Sequence, residues 1–531
     1  MTNATCMRRL ALVTSLPVLL CACAGSVPLA SSIEASTTDV PRPALSQLTP
    51  PQDRQWPDPL ADATNQRTRG FGLVHAPELD AYLNRLFQQI KATAGTPDWP
   101  GRVYLLSNSS LDAYATAAGN VYIALPWIRS VESEDELVAL LAHEFGHIYL
   151  HCHQLEGALA QTDSATSAVA VGMMLARKGL QASEWSQLDS LLFAYTASRQ
   201  VGTGIYSRSQ ELAADRFALA VTVRMKRPVG TGLKSMLERL QTWEKQNQDR
   251  LLAQEKAVRD GIAQASEART ESEAAKLKTG VAKSMMRFSG AVDNAGRQLE
   301  RSISQGLRDL VAGMSESHPS TSERIDVLVR LAEMHSDELS EVEASTAALT
   351  DILKLRSVST LLDHYQLAFD VVANPNAPQA RAAAREASSG ITRTHALPLY
   401  AAYVAQQEGG ASAPVAQLAV NFASPQDRAW FLYQEQAQRL ARQGTPKLAG
   451  TVINQGLNDF KGALAPELYA VRFLGEYFNW NFAKDRARQC AQLFPSAASQ
   501  CKDAAMSPPE REQQAALNRR KAEGMTKKLF K

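Results

Sequence analysis

No stretch of this chain is long and apolar enough to cross a bilayer as a helix: the longest apolar run, Ala165 to Ala176, reaches about a dozen residues where about 20 are required. That sets it apart from helical membrane proteins with several spans. A charge surplus is lacking too. Lys and Arg number 56 against 54 Asp and Glu, and without Arg8 and Arg9 the two counts are equal, so there is no basic footprint for nucleic acid. Cysteine is scarce, at 6 in 531 residues, and three of the six (Cys6, Cys21, Cys23) fall near the N-terminus. A small disulfide-stapled scaffold is thereby excluded. With 45% apolar residues over this length, two or three domains with their own cores are expected.

The N-terminus reads as a targeting segment. Arg8 and Arg9 precede an apolar run from Leu10 to Leu20 that is broken by Pro17 and too short to span, the pattern of a secretory signal. Leu20-Cys21-Ala22-Cys23 resembles a bacterial lipobox with Cys23 as the lipidated residue, and Ala24 behind it favours the outer membrane. A plain signal peptide cut elsewhere is the competing reading. Residues 1–22 are therefore expected to be a lipoprotein signal and residues 23–59, rich in Ser, Thr, Pro and Ala, a flexible tether. In an oxidising periplasm Cys490 and Cys501 are a candidate disulfide pair.

Chemistry enters at His143-Glu144-Phe145-Gly146-His147. On a helix, residues four apart lie one above the other, so both imidazoles can reach one metal ion, and Glu144, one step round, can accept a proton from a water beside it. The surrounding residues specify a helix independently. Ser133 and Glu136 form a capping-box pair, and Leu137, Leu140, Leu141, Phe145 and Ile148 recur at spacings of three and four as one apolar stripe.

Two imidazoles are too few for a catalytic zinc, which takes three protein ligands. His153 is one candidate third ligand, although with Leu150 where a turning glycine would be needed it points away from His147 on a continuous helix. The other is Glu211, which with Asp215 occupies one face of a second helix over Arg208-Ser209-Gln210-Glu211-Leu212-Ala213-Ala214-Asp215. Here a resemblance becomes specific. The HExxH helix, this Glu-x-x-Ala-Asp helix, the strand-like segment Asp112 to Ile123, the acidic lead-in Ser133 to Leu137 and His318-Pro319 followed by Arg324-Ile325 stand in the order found in the HtpX- and BepA-type zinc metallopeptidases, a gluzincin family. They cover roughly residues 70–330, and the absence of spans makes the chain similar to the periplasmic BepA branch.

The resemblance implies one Zn2+ held by His143, His147 and Glu211, with Glu144 as general base and Asp215 orienting a His ligand. It also brings His318 or Arg324 to the cleft as an oxyanion donor, though Ser320 and Glu323 form a capping box, so that His-Pro would serve simply to start a helix. His151, four residues beyond His147, either touches the site or is a hydrogen-bonded core residue, and Cys152 reads as a small buried apolar residue. The strand near Asn120 to Ile123 resembles the edge along which the family aligns an extended substrate.

A mainly α fold is expected: an α+β catalytic domain at 60–350, with a small sheet beside the HExxH helix and a helical insertion at about 230–310, then an α-helical repeat domain at 357–506 and a polar tail at 507–531. The repeat expectation rests on aromatic clusters at Tyr400, Trp430 to Tyr433 and Tyr469, separated by Gly409-Gly410 and Gly444-Thr445-Pro446, a period near that of tetratricopeptide helix pairs. The functional expectation is an envelope endopeptidase acting on unfolded or misassembled proteins, anchored to the membrane through Cys23, with outer-membrane assembly machinery as a partner for the helical repeats. The alternative is a chaperone-like assembly factor whose repeat domain does most of the work, with proteolysis rare or autoinhibited.

Overall fold

The computed structural model describes residues 44–48, 55–150, 206, 208–246, 320–339, 343–407, 415–511 and 513–514. The signal and Cys23 anchor, most of the tether, His151, Cys152, His153, most of the 230–310 insertion, His318 and most of the polar tail lie outside them. Helices predominate beside one small sheet, the mainly α fold that the sequence implies. Among the described residues no helix is long and apolar enough to cross a membrane.

The sheet has the order β1-β2-β4-β3, with β1 at Leu73–Val74, β2 at Val103–Leu106, β3 at Ala113–Ala115 and β4 at Val121–Ala124. β2 and β4 are parallel, while β1 pairs antiparallel with β2 and β3 with β4. Side chains alternate between the two faces of a strand, and here both faces are covered. Val103, Leu105, Val121 and Ile123 enter the main core with α2 (Pro77–Thr93), whereas Leu106, Tyr122 and Ala124 join a smaller cluster with Ala63 of α1 (Pro59–Gln66). Asp62 fastens α1 to the sheet, its Oδ2 accepting from Thr116 and Asn120 at 2.8 Å and from the Tyr122 hydroxyl at 2.7 Å.

β3 ends the sheet. The turn into β4 places Gly119 at φ +86°, a conformation that side chains with a Cβ rarely adopt. The Thr116 N–H donates to the Asn120 carbonyl and the Ala124 N–H to the Asp112 carbonyl, so the backbone groups of Ala113 and Ala115, which alternate with these, point away from β4, where the Ala115 carbonyl accepts from the Tyr206 hydroxyl at 3.4 Å.

After β4 the chain turns through α3 (Leu125–Ser130) into α4 (Glu134–Tyr149), which carries the HExxH residues; α5 (Arg208–Arg224) packs alongside it and α6 (Thr321–Met334) crosses near their ends. Nine helices follow among the described residues: α7 (Ala347–Lys354), α8 (Arg356–Ala373), α9 (Ala380–Ala387), α10 (Ala396–Gln407), α11 (Trp430–Arg442), α12 (Pro446–Asp459), α13 (Leu464–Tyr477), α14 (Trp480–Leu493) and α15 (Ala498–Ala504). They are not held off from the sheet and α4. Phe71 sits against the rings of Tyr400 and Phe431, and Trp430 donates its N–H to the Arg67 carbonyl, so one hydrophobic core runs from α2 to α13. Glycines let the later helices meet closely: Gly456 faces the Trp430 ring and Gly475 the Trp480 ring. Cys490 and Cys501 are bonded, with Cα atoms 5.8 Å apart, joining α14 to α15.

Asp112, just before β3, is buried at 2% exposure; its Oδ2 accepts from Asn108 and Ser110 at 2.6 Å while Oδ1 has no hydrogen-bond partner among the described residues. Burial, opposed by those two hydrogen bonds, pushes its pKa up to about 7. A raised carboxyl pKa contributes stability below the ordinary carboxylate range, and that stability is lost as pH rises through the folded value. Asp112→Asn, which cannot ionise, should therefore gain on the parent protein as pH goes from about 5 to about 8. Thermal melts of both proteins at the two pH values check this, and a difference that does not change with pH refutes it.

Candidate metal centre

Every residue of α4 is buried. The sequence pattern leads one to expect a single apolar stripe, yet the sheet and α2 cover one side of the helix and α5 the other. Its start is built as the capping residues imply: the Ser133 hydroxyl accepts from the Glu136 N–H at 3.2 Å. The acidic lead-in is buried as well and held by ion pairs. Arg227 bridges Glu134 and Asp135 at 2.7 Å each, and Arg239 meets Glu136 at 2.7 Å. Carboxylates in a first turn also complement the helix dipole.

The approach of α5 depends on Gly146. A Cβ there would lie 3.1 Å from the Phe217 ring and 3.2 Å from the Ala214 backbone, so any other residue would require Phe217 or the helix pair to give by a few tenths of an ångström. Glu211 and Asp215, one turn apart on α5, are thereby carried to the two imidazoles of α4.

Their donor atoms converge. The Nε2 atoms of His143 and His147 are 3.2 Å apart; Glu211 places Oε2 at 3.4 Å from the first and Oε1 at 3.6 Å from the second. Bonds of about 2.0–2.1 Å to a tetrahedral ion would separate neighbouring donors by about 3.3 Å. The three side chains thus fit a small cation, with a fourth corner left over, and they form the metal-competent cluster found among the described residues.

Behind them Asp215 takes His143 Nδ1 at 2.9 Å, which leaves Nε2 to face the cation. Arg324 of α6 clamps the same carboxylate through Nε at 2.8 Å and Nη2 at 2.7 Å, and its Nη1 lies 3.2 Å from Glu211. α6 is fixed in turn by the Thr321 hydroxyl, which donates to Glu244 at 2.7 Å, and by an ion pair between Arg208 and Glu323. His143, Glu144, His147, Glu211, Asp215 and Arg324 are buried, and charge decides their protonation. Burial and the Arg324 charge oppose a proton on His143, but Asp215 and Glu211 outweigh them and lift its pKa to about 10. Burial drives His147 down to about 3. Burial also opposes charge on both acids, yet Arg324 holds Asp215 down to about 2 and Glu211 below the ordinary carboxylate range. Glu144 has no such clamp. Burial lifts its pKa to about 7, with His143 drawing it down and Glu211 pushing it up, and its Oε2 meets no protein partner among the described residues.

The structure therefore brings together His143, Glu144, His147, Glu211, Asp215 and Arg324. His318 and the alternative third ligand His153 lie outside the described residues. Missed from the sequence was Tyr206, whose ring lies flat on His147 with centroids 3.5 Å apart; a single aromatic residue without periodicity carried no signal.

Such a site on a helix pair beside a short sheet defines a metal-dependent peptidase of the HExxH-plus-glutamate class. Residues 77–332, just under half of the chain, match peptidase family M48 and form a metallopeptidase domain of that family. Relatives agree in kind. The chain is 28% identical over 168 residues to the beta-barrel assembly-enhancing protease of Escherichia coli (strain K12), covering 31% of this chain and 34% of that protein. It is 27% identical over 152 residues to the protein of the same name from Yersinia pestis, covering 29% and 31%. A putative beta-barrel assembly-enhancing protease of Vibrio cholerae is 24% identical over 154 residues, covering 29% and 31%. The matched segment spans about a third of the length of these relatives.

Gly146→Ala tests the helix spacing. The added methyl should cost about 1–3 kcal/mol through overpacking and, by pushing Glu211 away from the imidazoles, weaken metal binding. Denaturation midpoints and metal titration check both, and unchanged metal affinity would mean that α5 does not need this contact.

Proposed function

We propose that the chain is a zinc-dependent endopeptidase of the bacterial cell envelope, acting on misfolded or misassembled proteins. The observation that carries it is the donor triangle of His143, His147 and Glu211, spaced for a tetrahedral ion, with the unclamped Glu144 carboxylate beside it. Two imidazoles and one carboxylate with an open corner are the donor set of a catalytic zinc site. Bound there, zinc supplies Lewis acidity to an attacking water and to the scissile carbonyl.

The protein does the rest. Glu144, with a pKa near neutrality before the metal is counted, takes the proton of the attacking water and delivers it to the leaving amine. Asp215 holds His143 in the tautomer that presents Nε2. Arg324 directs Nε and Nη2 to Asp215 and Nη1 to Glu211, which supports a positioning role for the carboxylates beside the oxyanion role that the family resemblance implies. The outward backbone groups of Ala113, on the edge strand, offer an extended substrate hydrogen bonds that are indifferent to its side chains, which suits unfolded chains. Export through the N-terminal signal, a lipid anchor at Cys23 and tetratricopeptide-like pairing in 357–506 complete the reading, and recruitment of outer-membrane assembly machinery is supported by the names of the relatives.

Glu144→Gln should keep zinc content and fold while lowering kcat/KM on an unfolded protein substrate by about 100-fold or more. Metal analysis and a peptidase assay check this. Full activity in the variant would remove Glu144 from the mechanism. Loss of peptidase activity with an intact envelope phenotype would favour the second reading, an assembly factor working through its helical pairs.

A further inference from the structure

The two imidazoles of the cluster are not secured alike. His143 is held from behind by Asp215 at 2.9 Å, whereas His147 Nδ1, equally buried, has no hydrogen-bond partner among the described residues. An imidazole ligand needs its ring plane fixed if the opposite nitrogen is to stay on the metal, and an outer hydrogen bond is the usual device. At His147 the neighbour is Tyr206. Its ring is parallel to the imidazole within 6°, with centroids 3.5 Å apart, and is itself only 4% exposed. Its hydroxyl stands 3.4 Å from the Ala115 carbonyl, on the outward side of β3.

Face-to-face overlap of two neutral aromatic rings is disfavoured by their like quadrupoles. The same overlap becomes favourable when one ring is drained of electron density by a cation at its nitrogen, because the electron-rich phenol then faces a partly positive imidazole. A metal-bound His147 would make this overlap favourable.

We propose that Tyr206 is the positioning residue for His147, its stacked ring taking the place of the missing hydrogen bond and its hydroxyl tying that ring to the edge strand. This rests on the metal reading above and goes beyond it by naming what orients the second imidazole.

The test uses the full chain carrying Tyr206→Phe, Tyr206→Leu or Tyr206→Ala. Zinc affinity is read by competition with a chelating dye, and ligand geometry by the visible spectrum of the cobalt-substituted protein. Tyr206→Leu and Tyr206→Ala should lose about tenfold or more in zinc affinity, the usual effect of removing an outer partner of a ligand, and shift the cobalt spectrum. Tyr206→Phe, which keeps the stack and loses only the hydroxyl contact, should lose clearly less than leucine in affinity and shift the spectrum less. Leucine nearly preserves the buried volume, so it tests the idea even if alanine does not fold, and melts of the metal-free proteins separate lost stability from lost orientation. Parent-like affinity and spectrum in the leucine variant overturn the proposal, as does a phenylalanine variant that falls as far as leucine. If the parent itself binds no zinc, the metal reading fails and this inference with it; if the parent binds and the variants match it, only this inference fails.

Discussion

Buried charge must balance, and the site is organised by that requirement. Glu144, Glu211 and Asp215 bring three carboxylates into one water-poor space, and Arg324 supplies one fixed positive charge against them. Unpaired buried charge is costly, so two further positive charges are needed for neutrality. A divalent cation provides them. Without it, His143 and Glu144 are the groups whose proton affinities rise, and a proton on each carries the same total. The donor triangle, the guanidinium clamp and the elevated base are thus one electrostatic arrangement.

That arrangement needs two helices closer than most side chains permit, which is why the glycine inside HExxH matters as much as its ionisable neighbours. Gly146 admits α5 to α4, and Phe145, Tyr149 and Phe217 pack around the contact. The start of α4 is tied elsewhere. Glu134 donates its N–H to the Ser345 carbonyl at 2.8 Å, and the Ser345 N–H returns to Asp135 at 2.7 Å, so the segment leading into the C-terminal helices also caps the metal-binding helix. With Phe71 seated between Tyr400 and Phe431, those helices meet the peptidase domain through both polar and apolar contacts.

Much of the site was legible because helical periodicity is a local rule. His143 and His147 share a face by spacing alone, as do Glu211 and Asp215, and the Ser133 cap was readable from its partner three residues on. What was not legible involved choices between surfaces distant in sequence. Asp215 serves His143 and not His147; Arg324 turns toward carboxylates; the acidic residues 134–136 are buried and paired with Arg227 and Arg239. Tyr206 left no pattern to read, since its role comes wholly from where its ring lands.

The amino-acid order by itself determined which residues are helical, which donors share a helix face and which chemistry they suit, because those follow from rise and rotation along one backbone. Tertiary structure decided how the two helices approach, which charges are buried against which, and what holds each imidazole in plane. These depend on side chains far apart in the sequence, from 59 residues for His147 and Tyr206 to 181 for His143 and Arg324, meeting across a packed interface, and no local rule specifies the distance at which they meet.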